Sequence, residues 1–352
     1  MKILILGGTG AMGKHLARQL SADDNEIYLT SRVKRDDVGN IKYIHGNAKD
    51  NSFLSSLLDD NFDAIVDFMV YSTKEFEARF SNFLNHTSQY LFLSSSRVYA
   101  DSPTPICEDS PRLLDTLDDK DFLATDEYAL CKARCEDLLF SSKKSNWTII
   151  RPYITYAENR LQLGVLEKEY WLFRAINGKK ILFSDDIAGK ITTMTYGADV
   201  AKAMKALIGN PKALHEAFHI TNDYHCSWNE ILNIYLDVLE KKLNKRPEVF
   251  YTKQSTNLIR GKYQVIYDRY YNRVFNNSKI KTIIDTSNFI LPEEGLKKCL
   301  ESFLANPQFP NFRGGAAEAR ADIITGDKLN FFNIPGMKQK IKYFIAYLIK
   351  QQ

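Results

Sequence analysis

The sequence predicts an α/β protein built on a doubly wound parallel sheet, with a smaller α/β lobe interleaved with it. Short apolar runs typical of buried parallel strands alternate with helical patterns through the first half of the chain. A glycine-rich turn joins the first of these strands to the first helix. At 352 residues the chain is long enough for one large domain with an appended lobe.

Six apolar runs are predicted to form strands of the sheet, in this order: KILILGG, EIYLTSR, IKYIHGN, FDAIVDFMV, QYLFLSSS and WTIIRPYI. Four segments between them carry apolar residues at helical spacing: GKHLARQLSA, NSFLSSLLDD, KEFEARFSNFLNH and DEYALCKARCEDLLFSS. This alternation of strand and helix is typical of a doubly wound parallel sheet.

A second lobe is predicted to begin after Arg151 and Pro152, where the chain becomes irregular and rich in aromatic residues and lysine. The segments GADVAKAMKALIGN and AFHITND then predict one more helix and strand of the sheet. We therefore expect the sheet domain to comprise residues 1–158 and 189–225, and the second lobe residues 159–188 and 226–312. Within that lobe, SWNEILNIYLDVLEKKL predicts a helix that opens with a Ser-x-x-Glu capping box.

Residues 313–352 are predicted to hold a flexible connector, RGGAAEARA, and then a basic amphipathic helix around YFIAYLI. No acidic residue follows Asp327. Around YFIAYLI the tail holds Lys338, Lys340, Lys342 and Lys350. A basic helix rich in apolar residues suits peripheral contact with an anionic membrane surface, and it equally suits packing on its own chain or on a second subunit.

The composition excludes several classes of protein. Hydrophobic residues make up 44% and charged residues 26%, as in ordinary globular proteins, and a net charge of +4 gives no concentrated basic stripe for nucleic acid. The five cysteines form no CxxC pair and the six histidines show no metal spacing, so no metal site is predicted. Neither a secretory signal nor an apolar run of the ~18 residues that span a membrane is found, so a cytoplasmic location is expected.

The stretch LILGGTGAMGKHLARQL places glycines at three-residue intervals between a strand and a helix. Small residues there let the backbone turn tightly and approach a pyrophosphate, whose charge is met by the helix N-terminus. This predicts a Rossmann-type sheet with a bound dinucleotide. The expected contacts in the turn are Gly7, Thr9, Gly10, Met12 and Gly13.

The end of the second strand distinguishes between dinucleotides. An acidic residue there holds the ribose 2′-hydroxyl, whereas a basic residue accommodates a 2′-phosphate. The sequence has Ser31 and Arg32 at this point, with Lys34 and Arg35 close behind and no carboxylate. NADP is therefore favoured, with NAD as the alternative. After the third strand, Asn47 and Ala48 are expected near the adenine edge.

A tyrosine and a lysine in YALCK, Tyr128 and Lys132, are spaced to lie on one face of a predicted helix. A tyrosine, whose pKa is normally about 10, is a poor base at pH 7 unless an ammonium group and a cofactor stabilise its phenolate. Lys132 would supply that charge, and a serine from the strand end FLSSSRVYADS would bind the substrate oxygen. The set predicts general acid–base chemistry coupled to hydride transfer.

Four motifs together, GGTGAMG (7–13), SSSRVYAD (94–101), YALCK (128–132) and RPYITY (151–156), resemble those of the extended short-chain dehydrogenase/reductase family, in its nucleotide-sugar epimerase/dehydratase branch. The resemblance covers roughly the first 160 residues, continues weakly through TYGADVAKAM and VFNNSKIK, and leaves out the last forty. It implies an NAD(P)-dependent nucleotide-sugar epimerase or ketoreductase, a substrate-binding second lobe, and a homodimer formed through paired helices.

The resemblance also implies residue roles. Tyr128 is the catalytic acid/base, Lys132 is its partner and a cofactor contact, and Ser95 is the hydroxyl residue. Ser96 is the fallback for that hydroxyl and a substrate contact. Phe68 and Tyr153 are expected to complete the cofactor site. A lobe that holds a nucleoside diphosphate needs cations for its phosphates, and the candidates for this role are Arg174, Arg269 and Arg273.

Family dehydratases carry an Asp-Glu pair directly after the hydroxyl residue, and this chain has Ser96 and Arg97 there, so dehydratase activity is not expected. Two alternatives to the epimerase or ketoreductase stay open. One is a non-catalytic family member that binds RNA or a protein partner and uses the nucleotide as a structural or sensing ligand. The other is an isomerase or reductase of a small hydrophobic metabolite.

Overall fold

The computed structural model describes residues 1–259, 261–310, 312–328 and 331–349. Lys350, one of the lysines of the predicted basic tail, lies outside the described residues. The strands, in chain order, are β1 Lys2–Leu6, β2 Glu26–Ser31, β3 Ile41–His45, β4 Phe62–Asp67, β5 Thr87–Leu93, β6 Trp147–Pro152, β7 Ile154–Tyr156, β8 Gln162–Leu163, β9 Leu166–Glu167, β10 Ile181–Ser184, β11 Ile191–Thr192, β12 Met194–Tyr196, β13 Glu216–Ile220, β14 Cys226–Ser227 and β15 Val249–Thr252.

The α-helices, in chain order, are α1 Gly13–Leu20, α2 Asn51–Leu58, α3 Thr73–Glu77, α4 Phe80–Asn85, α5 Leu113–Thr116, α6 Lys120–Leu123, α7 Tyr128–Phe140, α8 Leu172–Ile176, α9 Asp185–Ala188, α10 Gly197–Leu207, α11 Trp228–Leu243, α12 Lys262–Gln264, α13 Ser278–Lys281, α14 Pro292–Ala305, α15 Gly315–Thr325 and α16 Met337–Ile349.

Two compact units divide the chain. The sheet unit comprises Met1–Ala157, Thr193–His225 and Arg273–Pro292, and the second unit comprises Glu158–Thr192, Cys226–Asn272 and Glu293–Gln352. The segment 273–292, which the sequence assigns to the second lobe, thus belongs to the sheet unit. Its side chains Ile280 and Phe289 are buried in that unit's hydrophobic core, which explains the difference.

The sheet unit contains a seven-stranded sheet in the order β13-β6-β5-β4-β1-β2-β3, and every neighbouring pair is parallel. The chain builds outward from β1 to β3 in one direction and from β4 to β13 in the other. The reversal lies between β1 and β4, where sheets of this kind bind their ligands at the carboxyl ends of the strands. The predicted doubly wound parallel sheet is confirmed.

Both faces of this sheet are buried, as expected of parallel strands that are covered by helices. Side chains alternate along β1, so that Ile3 and Ile5 pack in the core formed with α1 and α10. Leu4 and Leu6 pack in the opposite core with α2 and α7. The amphipathic helices therefore hold a rigid sheet whose carboxyl edge carries the candidate site.

In the second unit, the prediction of a flexible connector at RGGAAEARA is wrong, because residues from Gly315 onward form α15. Alanine favours helix, and the carboxylates of Glu318 and Asp322 lie one turn apart on it. Both carboxylates are buried and pair with Arg174 at 2.9 and 2.8 Å and with Lys179 at 2.9 and 2.6 Å. These ion pairs fix α15 against α8 and the segment that follows it.

The C-terminal helix α16 packs beside α15. Tyr343 is fully buried in a small core with Phe173, Phe312 and Ala319, and its hydroxyl donates a hydrogen bond to Asp322. Among the described residues, no helix has the length and apolar character required to span a membrane.

Candidate active site

The turn after β1 requires glycine at two positions. Gly7 has a φ of +70°, and a Cβ there would lie 2.6 Å from the sulfur of Met69, so a side chain would be both strained and overlapping. At Gly13 a Cβ would lie 2.5 Å from the backbone of Gly8, so α1 starts in direct contact with the turn. Nothing lies within 4 Å of a Cβ built at Gly10. The turn therefore fits a pyrophosphate that approaches the backbone.

The N-terminus of α1 is also suited to an anion. The side chain of Met12, at the N-cap, makes no cap hydrogen bond, so the first N–H groups of α1 are not capped by it. Thr9 lies in the same turn and donates its N–H to the carbonyl of Gly7 at 2.9 Å. A helix start without a side-chain cap suits an anion such as a phosphate.

The other predicted cofactor residues follow the carboxyl ends of neighbouring strands. Ser31 ends β2 and is buried, and its hydroxyl accepts a hydrogen bond from the Arg35 side chain at 3.3 Å. Arg32, the next residue, is exposed. Asn47 and Ala48 follow β3, the first exposed and the second buried. The exposed Arg32 thus follows the strand end where a ribose 2′-substituent would lie, and the side chain of Arg35 is bonded to the same strand end.

Phe68 and Tyr153 occupy the same edge of the sheet on the other side of the turn. Phe68 directly follows β4 and donates its N–H to the carbonyl of Leu6 at 2.9 Å. Tyr153 follows β6 and is 6% exposed, with its ring 5.4 Å from that of Phe275. Both residues are placed by parallel strands whose ends meet at this edge.

The three serines after β5 have different partners. Ser94 donates to the carboxylate of Glu136 at 2.6 Å, and the fully buried Ser96 donates to the carbonyl of Arg151 at 2.8 Å. Ser95 accepts a hydrogen bond from the N–H of Arg97 at 3.2 Å and, among the described residues, donates none. Its hydroxyl hydrogen is therefore the one of the three that is available to a ligand, which favours Ser95 over Ser96 as the hydroxyl residue.

Tyr128 is the first residue of α7, and Lys132 lies one turn later. The Lys132 ammonium is 5.9 Å from the centre of the Tyr128 ring and donates to the carbonyl of Leu93 at 2.6 Å. Its side chain is 2% exposed. Because Leu93 is the last residue of β5 and precedes Ser95 by two positions, the structure brings Ser95, Tyr128 and Lys132 together at one strand end.

Arg97 is a contact of Tyr128 that sequence reasoning missed. Its guanidinium lies 5.3 Å from the centre of the Tyr128 ring and pairs with Glu127 at 2.6 Å. Arg97 was noted in the sequence only as a departure from the dehydratase pattern. The available signal was the acidic residue directly before Tyr128. Two cations, Lys132 and Arg97, therefore face one tyrosine ring.

A buried network underlies the site. Glu136 of α7 accepts two hydrogen bonds of 2.8 Å from Arg151 of β6, in addition to the one from Ser94. Arg151 also donates to the hydroxyl of Tyr99 at 3.0 Å. A bidentate pair of this kind fixes orientation as well as distance. It ties α7, which carries Tyr128, to the ends of β5 and β6.

A buried histidine lies beside this network. His219 of β13 is fully buried and its Nε2 is 2.9 Å from the carbonyl of Asn276, while Glu108 is 3.8 Å from its Nδ1. Burial lowers the pKa of His219 to about 4, and the charge of Arg151 adds to this effect. The ring is therefore neutral near pH 7.

The three arginines predicted to bind substrate phosphates are buried and bonded within their own units. Arg174, in the second unit, pairs with Glu318 and Asp322. Arg269, also in the second unit, donates to the carbonyl of Gly164 at 3.0 Å. Arg273, in the sheet unit, donates to the carbonyls of Ala100 and Tyr99 at 2.9 and 3.1 Å. All are at most 2% exposed, so these cations hold the fold together.

Two known proteins are similar to this chain in sequence. A chloroplast stem-loop binding protein of 41 kDa, form b, of Arabidopsis thaliana is 28% identical over 246 residues, which cover 65% of this chain and 60% of that protein's own length. A UDP-N-acetyl-α-D-glucosaminuronate decarboxylase of Bacillus cytotoxicus is 24% identical over 338 residues, which cover 86% of this chain and 97% of that protein.

The fold is similar to that of solved epimerase structures. One of them is UDP-glucuronic acid 4-epimerase from Bacillus cereus in complex with UDP-glucuronic acid and NAD, which superposes with a TM-score of 0.65 at 18% identity. The superposition covers 88% of this chain and 100% of the epimerase chain. The family model described as the NAD dependent epimerase/dehydratase family matches residues 3–221. Because this match spans more than half of the chain, the protein belongs to the NAD dependent epimerase/dehydratase family.

Proposed function

We propose that this protein is an NAD(P)-dependent epimerase or ketoreductase that acts on a sugar carbon of a nucleotide sugar and works as a homodimer. The observation that carries the proposal is the meeting of Ser95, Tyr128 and Lys132 at the end of β5, two strands away from the glycine turn after β1. The Bacillus cereus epimerase, with its bound nucleotide sugar and NAD, supports the class of substrate and cofactor.

Each residue of the cluster has a defined task in this proposal. Tyr128 takes the proton from the reacting sugar hydroxyl or returns it. The cations of Lys132 and Arg97 lie beside its ring. Ser95 donates a hydrogen bond to the same sugar oxygen and so fixes its position. The N–H groups at the start of α1 hold the pyrophosphate. A bound nicotinamide would accept or supply the hydride.

The proposed cofactor is NADP rather than NAD. Arg32 is exposed at the end of β2, at the position where an acidic residue would favour NAD. A guanidinium there would pair with a ribose 2′-phosphate through charge-assisted hydrogen bonds.

The proposed reaction is not a dehydration. Water loss from the sugar needs an acid and a base beside the hydroxyl residue, and the two positions after Ser95 hold Ser96 and Arg97. The Ser96 hydroxyl is committed to Arg151, and the Arg97 guanidinium pairs with Glu127. Neither residue can exchange a proton with a sugar carbon at neutral pH.

The test is the Tyr128→Phe variant. Mass spectrometry of small molecules that co-purify with the protein identifies the nucleotide, and a panel of nucleotide sugars carrying it is then assayed for epimerisation and for oxidation of NADPH. General acid–base groups contribute about 10²–10⁴-fold to rate, so the variant should lose that much turnover while it still binds cofactor. The matched control is Tyr43→Phe, a half-buried tyrosine of β3. Near-normal turnover of Tyr128→Phe would refute the proposal.

A second candidate function is a non-catalytic, RNA-binding member of the family. It is favoured by one observation, the Arabidopsis relative that is named as a stem-loop binding protein. Electrophoretic mobility shifts with an RNA stem-loop at several salt concentrations distinguish the two. Tight binding with a steep salt dependence would support this function. Negligible binding at low salt would eliminate it.

A further inference from the structure

Helix α16 exposes an apolar stripe along its whole length. The exposed side chains are Met337 (69%), Ile341 (52%), Phe344 (48%), Ile345 (51%), Leu348 (48%) and Ile349 (67%). At about 100° per residue these positions share one side of the helix. Tyr343, Ala346 and Tyr347 lie on the opposite side and pack in the core of the second unit. The stripe is therefore not part of the packing of α16 on its own unit.

Lysines border this stripe on both margins. By the same helical spacing, Lys340 lies along one margin, and Lys338 and Lys342 lie along the other. No acidic residue follows Asp327 in the sequence. Lysine side chains at such positions extend their methylene groups over apolar surface and keep the ammonium in a polar layer. The arrangement is that of a helix lying in the interface of a bilayer.

A groove beside α16 continues this surface. It has a volume of about 650 Å³, and its lining includes the cations Arg313, Arg320 and Lys342 and the apolar side chains Leu258, Ile345 and Ile349. Among the described residues of the lining, the acidic one is Glu167, which lies 3.6 Å from Arg160 and is balanced by its charge. A lining that combines cations with apolar side chains matches a phosphate headgroup with the first part of its acyl chain.

The charge decides between a bilayer and a second copy of the chain as the partner of this surface. A symmetric contact between two copies would place this cation-rich surface against itself, and like charges repel. An anionic bilayer would instead meet those cations with opposite charge. We propose that α16 and the adjoining groove dock this protein on an anionic phospholipid bilayer, with the helix parallel to its surface. The 13 residues of α16 are too few to cross it.

The experiment is co-sedimentation of the full chain with vesicles of phosphatidylcholine alone and of phosphatidylcholine with phosphatidylglycerol. The protein should bind the anionic vesicles at least about tenfold more tightly, and added salt should weaken that binding. The double variant Phe344→Ser/Ile345→Ser should lose binding to the anionic vesicles. Lys338→Glu/Lys342→Glu should lose the preference for them.

The matched controls are in the same unit. Leu243→Ser and Lys241→Glu/Lys245→Glu change exposed residues at and just after the end of α11, and they should bind as the wild type does. Circular dichroism verifies the fold of each variant. Absent binding, or equal binding to neutral and anionic vesicles, would overturn the proposal. So would a dimer in light scattering that Phe344→Ser/Ile345→Ser converts to a monomer, because the stripe would then serve a second copy. The docking does not depend on the proposed reaction.

Discussion

Arg32 is the residue on which the proposed preference for NADP depends. Removing an exposed charge-assisted hydrogen bond to a phosphate costs about 1.5–3 kcal/mol, which is roughly 10- to 100-fold in affinity. Arg32→Ala should therefore weaken binding of NADPH by that factor and leave NADH almost unchanged, as measured by calorimetry. The control is Lys212→Ala, an exposed cation near β13 at the other edge of the sheet. Wild-type protein that binds NADH more tightly than NADPH would contradict the preference.

His219 makes the stability of the protein depend on pH. Its pKa is about 4 in the folded protein and near 6.5 when unfolded, so in this interval the unfolded chain binds the proton more readily. The neutral ring contributes up to about 3 kcal/mol to the free energy of unfolding. This contribution is complete above pH 6.5 and is lost as the pH falls towards 4.

Urea unfolding at pH 7 and pH 5 tests this dependence. The free energy of unfolding should be lower at pH 5 than at pH 7. The decrease should be smaller in His219→Gln, which has no titrating ring. His45→Gln, a change at an exposed histidine, should behave as the wild type does. An equal fall in wild type and His219→Gln would show that other groups cause the dependence.

Single residues were the hardest part of the site to predict. The sequence predicted that Ser95, Ser96, Tyr128 and Lys132 lie near the end of one strand, because motif spacing reports position along the chain. It did not show that Ser96 is committed to Arg151, nor that Arg97 covers the ring of Tyr128. Those facts depend on partners that are distant in sequence, and a local pattern carries no information about them.

At the scale of elements, α15 depends on buried charge. Asp322 contacts Arg174, Lys179 and the hydroxyl of Tyr343. Asp322→Asn keeps the shape of the side chain and leaves the two cations under-compensated, which should lower the free energy of unfolding by about 3–5 kcal/mol. Urea unfolding followed by tryptophan fluorescence measures this, since Trp171 and Trp228 are buried in the second unit.

An exposed ion pair of the same unit provides the comparison. Asp237 pairs with Arg246 at 2.7 Å, and both side chains are more than 40% exposed. Asp237→Asn should therefore change stability too little to be separated from the wild type, because solvent screens such pairs. Equal effects of the two substitutions would mean that burial does not strengthen the α15 cluster.

The elements themselves were largely predictable where periodicity is strong. The parallel strands, α7, α10 and the capping box of α11 follow from apolar spacing and from Ser227 and Glu230. The sequence does not predict helix α15, because the two glycines at its start and the short alanine run are typical of a connector. What makes it a helix in this protein is the pairing with Arg174 and Lys179, which lie far earlier in the chain.

At the scale of the whole molecule, the proposed homodimer predicts a particle of two chains. Light scattering after gel filtration should give twice the chain mass of 40.5 kDa. By the family resemblance the contact includes α7, whose Phe140 is 43% exposed. Phe140→Glu should shift the protein to the monomer, whereas Leu214→Glu, a similar change elsewhere in the sheet unit, should not. A wild-type monomer at all concentrations would refute the dimer.

The Glu136 network has a consequence for the kinetics of ligand binding. Because Ser94, Arg112 and Arg151 already hold this carboxylate, the strand ends and α7 are fixed before any substrate arrives. Little conformational entropy is then lost on binding at these groups. Encounter rates should follow the diffusion of the ligand and its access to the edge of the sheet, rather than a slow rearrangement of the protein.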